Sequence, residues 1–241
     1  MASHNSGFDT ANSVLHRSID RWIQRLQWPV AITVVALSPC VLWAALQLAS
    51  RVLLAPLSTL AFSGGVVLFM IAWRSILKFR MIGPWLMRAE HEATHLLFAI
   101  LTLHPIVGLS REEKSGSYVR FLGRGNWLIQ IAPYFFPTAA IPFWLLAYLA
   151  SWIPVVGYLP WPGVALGVAT GFHVVSTIRE IRRDHEELKA LSWKFCWMFL
   201  PASNLFMLGC LIAFAKDKFS GLYQWMADLL HPLSRLIHLF Q

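Results

Sequence analysis

Long uncharged apolar runs alternate with short polar connections along this chain, and their lengths set the first expectation. Trp28 to Ser50 and Val52 to Trp73 carry no charged residue, and at about 1.5 Å per residue each is long enough to cross a hydrocarbon core of about 30 Å. Residues 1–10 read as a disordered tail. From Thr10 to Gln27, Val14, Leu15, Ile19, Trp22, Ile23 and Leu26 fall at helical spacing opposite Arg17, Arg21 and Arg25, which predicts an interfacial helix. A third apolar segment runs roughly from Pro84 to Leu109, a fourth from Ile131 to Trp152, a fifth from Pro162 to Asp184 and a sixth from Trp193 to Ala215. Pro133, Pro137 and Pro142 predict kinks or a partly re-entrant path in the fourth. Between the third and fourth, "SREEKSGSYVRFLGRGNWLIQ" is polar and Gly-punctuated, with alternation around Tyr118, Arg120 and Leu122, which predicts a short hairpin at the membrane surface. At the end, Leu222, Met226, Leu229, Leu233, Leu236 and Phe240 mark a second amphipathic helix.

The pattern therefore predicts an all-α polytopic membrane protein with about six transmembrane helices, amphipathic helices at both ends and a short surface hairpin. Its parts are an N-terminal tail and interfacial helix (1–27), a transmembrane domain (28–215) and a C-terminal amphipathic helix (216–241). Composition agrees: of 241 residues, 57% are hydrophobic and only 13% charged, a poor fit to a soluble domain. A net charge of +8 raises the question of nucleic acid, but the Lys and Arg residues sit at the ends of apolar runs and not along one stripe, so the lipid bilayer is their expected partner. Cys40, Cys196 and Cys210 lie inside apolar segments without metal-finger spacing and read as packing residues. The first run is too long for a signal-peptide core and reads as an uncleaved anchor. Up to Arg88, only Arg51 among the Lys and Arg residues falls between the first two runs, which places the N-terminus in the cytoplasm of a multi-pass protein of the cell (inner) membrane.

One stretch breaks the apolar rule. "RAEHEATHLLFAILTL", Arg88 to Leu103, carries Glu90, His91, Glu92 and His95 into the third segment. His91, Glu92 and His95 form H-E-x-x-H, which on a helix sets two imidazoles four residues apart on one face with a carboxylate beside them. Two neutral imidazoles can ligate zinc, a third ligand would complete the site, and the Glu is placed to accept a proton from water activated in the open position. An uncompensated ionisable group at mid-bilayer costs about 2.5 to 3.5 kcal/mol on insertion scales, so a cluster kept there should have partners. The fifth segment offers them. At about 100° per residue, His173, Thr177, Glu180 and Asp184 fall within about 40° of one another and form a polar stripe. Measured from Pro84 and Pro162, His95 and His173 would both lie about 16 Å deep, which makes His173 the first choice for third ligand.

The chain resembles the site-2 protease family of intramembrane zinc metallopeptidases in "HEATH" within a span, in "GRGNWLIQIAPYFFP" after a Gly-rich hairpin, and in a later span with further polar groups. The likeness covers roughly Pro84 to Leu188. It implies a zinc endopeptidase that cleaves membrane-protein substrates within or beside their spans, with His91 and His95 as Zn2+ ligands and Glu92 as general base. That family normally draws its third ligand from an Asp in a motif like "LDG", which does not occur here. Related chains place an Asp shortly after this helix, so "RRDHEEL" is the local counterpart and implies Asp184, second to His173. Glu180 ranks third, since other membrane zinc peptidases use a Glu. The hairpin with Asn126 would present edge backbone to an extended substrate. Two other readings stand beside the protease: a membrane zinc peptidase of another lineage, and a non-catalytic membrane scaffold that keeps the motif.

Overall fold

In a computed structural model of the chain, residues 5–77, 82–112, 116–121, 125–150, 152–153, 160–181 and 186–239 are described. Helix α1 spans Asn5–Leu54 without interruption and contains Pro29 and Pro39. From Asn5 onward the predicted tail, interfacial helix and first span are thus one element, because the helix accommodates Pro29 and Pro39 without a break. Its 38-residue portion Arg17–Leu54 is about 57 Å long at 1.5 Å per residue, longer than a bilayer core of about 30 Å. Pro56 then opens a turn of 3-10 helix, Pro56–Thr59, and α2 follows at Leu60–Ala72, running into a π-helical turn at Trp73–Leu77. The second apolar run is therefore divided at Pro56, which lacks the N–H that a continuing helix needs. The short connection makes α1 and α2 antiparallel.

Helix α3 occupies Ile82–Leu101. Strands β1 (Ile106–Glu112) and β2 (Gly116–Phe121) pair antiparallel with a bulge between Ile106 and Gly108, a hairpin where the sequence pattern predicts one. Helix α4 (Trp127–Ile131) is followed by a 3-10 turn at Ala132–Tyr134 and by α5 (Ala140–Ala150). The 11 residues of α5 span only about 16 Å, too little to cross as one helix. Helix α6 (Trp161–Glu180) and the short α7 (Glu186–Ala190) precede α8 (Trp193–Leu239), which is broken at Asp217 and at Lys218, where φ is 55°. Beyond the break the C-terminal arm folds back: a Cβ on Gly209 would lie 2.2 Å from the Trp225 ring, and Trp225 itself is fully buried. Arg51 pairs with Asp228, tying this arm to α1.

Among the described residues, four helices are long and apolar enough to cross a membrane: Arg17–Leu54, Leu60–Leu77, Trp161–Glu180 and Trp193–Arg235. The chain is thus a strongly helical protein with membrane-length helices, and the count among described residues is four where the sequence pattern suggests six. Helix α3 is not one of them, since Arg88, Glu90 and Glu92 interrupt its apolar character. Its two ends both face the N-terminal side of the bundle. Gly83 lies against Trp73 and Leu77 at the returning end of α2, and His104, just beyond α3, stands 3.0 Å from Asp20 of α1.

Helices α2 and α6 run side by side in the same direction. Gly65 and Gly167 allow it: a Cβ on Gly65 would come within 2.1 Å of the Val164 carbonyl oxygen, and one on Gly167 within 2.0 Å of that of Phe62. Small residues at such crossings let backbones approach without a strong hydrophobic drive between helices. The contact fixes the end of α6, where the Arg179 guanidinium sits 5.1 Å over the Trp73 ring. A core of Ala31, Phe98, Trp127, Ile129, Phe195 and Phe199 joins α1, α3, α4 and α8 at the same end of the bundle.

Candidate metal centre

Helix α3 presents His91 and His95 on successive turns, their rings 4.6 Å apart between centroids. The far side of α3 is pinned. The Glu90 carboxylate accepts a hydrogen bond from the Ala139 N–H at 3.3 Å, and the Thr94 and Thr138 hydroxyls lie 2.6 Å apart. These bonds hold the segment after α4 across α3 and place Tyr134 beside His91, ring edge to face at 5.5 Å. After α6 ends, α7 brings Glu187 to the same spot, held from below by Leu188 and Leu191, which are buried in the core.

Three side chains meet there. His91 Nε2 and His95 Nε2 are 3.0 Å apart, His91 Nε2 lies 3.4 Å from Glu187 Oε2, and His95 Nε2 lies 3.3 Å from Glu187 Oε1. Metal–ligand bonds of about 2.0 to 2.2 Å at tetrahedral angles would separate ligand atoms by about 3.3 to 3.6 Å, close to the observed spacing, so the group could hold zinc. The tautomers fit as well. His91 Nδ1 is 2.9 Å from Glu180 Oε2 and His95 Nδ1 is 2.9 Å from the Ile129 carbonyl oxygen. A carbonyl and a carboxylate only accept, so each Nδ1 carries a proton, and in the neutral ring each Nε2 then offers its lone pair inward. Two inward lone pairs and a carboxylate so close together form the donor set that a divalent cation neutralises. The Tyr134 hydroxyl donates to Glu187 Oε2 at 2.8 Å, which leaves Oε1 as the freer ligand atom. His91 and His95 are each 12% exposed and Glu187 33%, so the group sits at an opening and can be reached from outside.

The residues singled out from sequence divide into five groups. His91 and His95 stand in the three-ligand group with Glu187. Glu92 is half-buried on α3 between them and is not one of the three converging ligands. His173 is buried on α6, and its Nδ1 lies 3.9 Å from Glu90 Oε1, so it faces the carboxylate one residue before His91 and does not join the group. Asp184 lies outside the described residues. Glu180 stands behind His91 as a hydrogen-bond partner. The stripe of His173, Thr177 and Glu180 therefore faces α3, but the ligand comes from beyond it. Equal depth for His173 and His95 requires α3 to be a membrane-crossing rod; α3 lies instead toward one end of the bundle, where α6 delivers its last turn. The signal that points to Glu187 is local: it directly precedes Leu188, whose burial with Leu191 turns this short segment inward. Asn126, which follows the hairpin, caps α4, its side chain accepting from the Ile129 N–H at 3.2 Å.

The chain matches no protein-family model, no curated protein and no solved structure.

Proposed function

We propose that this protein is a membrane-embedded zinc-dependent endopeptidase that cleaves membrane-protein substrates. The observation that carries the reading is the convergence of His91 Nε2, His95 Nε2 and a Glu187 carboxylate oxygen, with both Nδ1 atoms already bonded. Three protein ligands with a fourth position open is the pattern of catalytic rather than structural zinc. A bound zinc supplies Lewis acidity and lowers the pKa of a coordinated water toward about 7. The protein's own parts do the rest: Glu92 accepts the proton, Glu180 and the Ile129 carbonyl orient the two imidazoles, and Tyr134 holds Glu187. On this reading α1, α2, α6 and α8 cross the inner membrane, and the fourth apolar segment passes through in broken form. The centre lies at the cytoplasmic ends of the helices, beside the cationic turns of α1.

A second lineage is favoured by one feature. The site-2 protease resemblance implies an Asp as third ligand, whereas a Glu completes the group here, a His2Glu set of the kind other zinc peptidases use. The reaction class is the same for both.

The test is proteolysis by the full-length protein in proteoliposomes, with a fluorogenic peptide built on a single membrane span containing helix-breaking residues. Cleavage that a zinc chelator stops and added zinc restores is expected. Zinc binding without cleavage across a panel of such peptides would favour the scaffold reading.

Glu180→Gln isolates one supporting part. Gln keeps an acceptor for the His91 Nδ1–H but removes the charge, and outer-shell partners of this kind change metal affinity by about 10- to 100-fold. Zinc affinity is expected to fall within that range and to fall further in Glu180→Ala, as read by chelator competition. Equal affinity in all three proteins would remove Glu180 from the centre.

A further inference from the structure

The centre leans on a helix that contributes no ligand. Asp20 of α1 accepts through Oδ1 a hydrogen bond from Asn126 Nδ2 at 2.9 Å; Asn126 Oδ1 accepts from the Ile129 N–H at 3.2 Å; and the Ile129 carbonyl accepts from His95 Nδ1 at 2.9 Å. Near the next turn of α1, the Ile23 carbonyl accepts from Trp127 Nε1. One turn further, Gln27 Nε2 donates to the Leu191 carbonyl at 3.1 Å, and the Leu191 N–H closes on the Glu187 carbonyl at 3.1 Å. One face of α1 thus touches both the element that orients His95 and the one that carries Glu187.

Those two elements cannot hold themselves. Helices α4 and α7 have five residues each, far below the length at which a helix is stable alone, so their positions come from what they touch. Apolar packing lets a short helix slide, whereas buried hydrogen bonds fix its register. The Gln27 bond is buried and the Asp20 bond partly so: Gln27 is 8% exposed, Asn126 1%, and the Asp20 side chain 15%.

We propose that Asp20 and Gln27 are positioning residues for the metal centre: they hold α4 and α7 in register so that His95 and Glu187 converge on the metal. The N-terminal turns of α1 are then a strap across the centre as well as the start of a membrane anchor. The inference rests on the metal-peptidase reading above.

The test uses the full-length protein in detergent micelles, with zinc affinity by chelator competition and the absorption spectrum of the cobalt-loaded protein as readouts. Asp20→Ala and Gln27→Leu should each weaken zinc binding by about tenfold, at the lower end for partners behind the ligands, and should shift the cobalt bands because ligand orientation changes. Asp20→Asn, whose Oδ1 can still accept from Asn126, should restore most of the affinity. Asp228→Asn weakens the other tether of α1, to the C-terminal arm, and should lower thermal stability with the affinity and spectrum of wild type. Gln27→Leu reports independently of Asp20, should Asp20→Ala fail to fold. Wild-type affinity in both Asp20→Ala and Gln27→Leu would overturn the inference while leaving the metal reading standing. An equal loss in Asp228→Asn would also overturn it, since α1 would then act only through general stability. A wild-type protein that binds no zinc would overturn the metal reading and this inference with it.

Discussion

Glu187→Ala is expected to reduce zinc affinity by more than about a hundredfold, because partners standing behind metal ligands already account for about 10- to 100-fold and Glu187 is the anionic member of the proposed ligand set. Removing it leaves two imidazoles 3.0 Å apart between Nε2 atoms with no carboxylate to complete the set. His173→Ala should leave affinity near wild type, since its nearest charged neighbour is Glu90 at 3.9 Å and not the imidazole pair. The same chelator competition on Asp184→Ala completes the comparison. Loss of zinc in Asp184→Ala or His173→Ala, with retention in Glu187→Ala, would reassign the third ligand.

Glu92→Gln should retain zinc and lose turnover by about 100- to 10,000-fold, the usual contribution of a positioned general base. The change keeps size and hydrogen-bonding capacity and removes the proton acceptor. Because Glu92 stands outside the three-ligand group, zinc content per chain should match that of wild type. A drop in metal would make Glu92 a ligand, and unchanged cleavage in proteoliposomes would remove it from the chemistry.

Much of this architecture is written in the pattern of side chains. The apolar runs mark α1, α2, α6 and α8, and the H-E-x-x-H spacing places two imidazoles on one helical face, as the 4.6 Å ring separation shows. The Gly-punctuated stretch after α3 becomes a paired hairpin. What escapes is the information that lies in tertiary packing. Nothing in the first 54 residues announces a single helix, because continuity depends on Pro29 and Pro39 being absorbed inside it. Hydropathy counts the third segment as a span, yet its charged residues and the contacts of both its ends keep α3 toward one side. Glu187 could not be ranked by depth along a rod, because it belongs to no rod: a short helix of five residues, held by Gln27 and by buried leucines, returns it to the centre. The stripe on α6 is real in direction, and its last member, Glu180, reaches His91 as a partner behind the ligand.

Zinc content by elemental mass spectrometry, measured on the full-length protein beside His91→Ala and His95→Ala, bears most directly on the claim that these side chains form a metal centre. One zinc per wild-type chain and almost none in either variant is the predicted result; a wild type without zinc, or variants that keep it in full, would contradict the account.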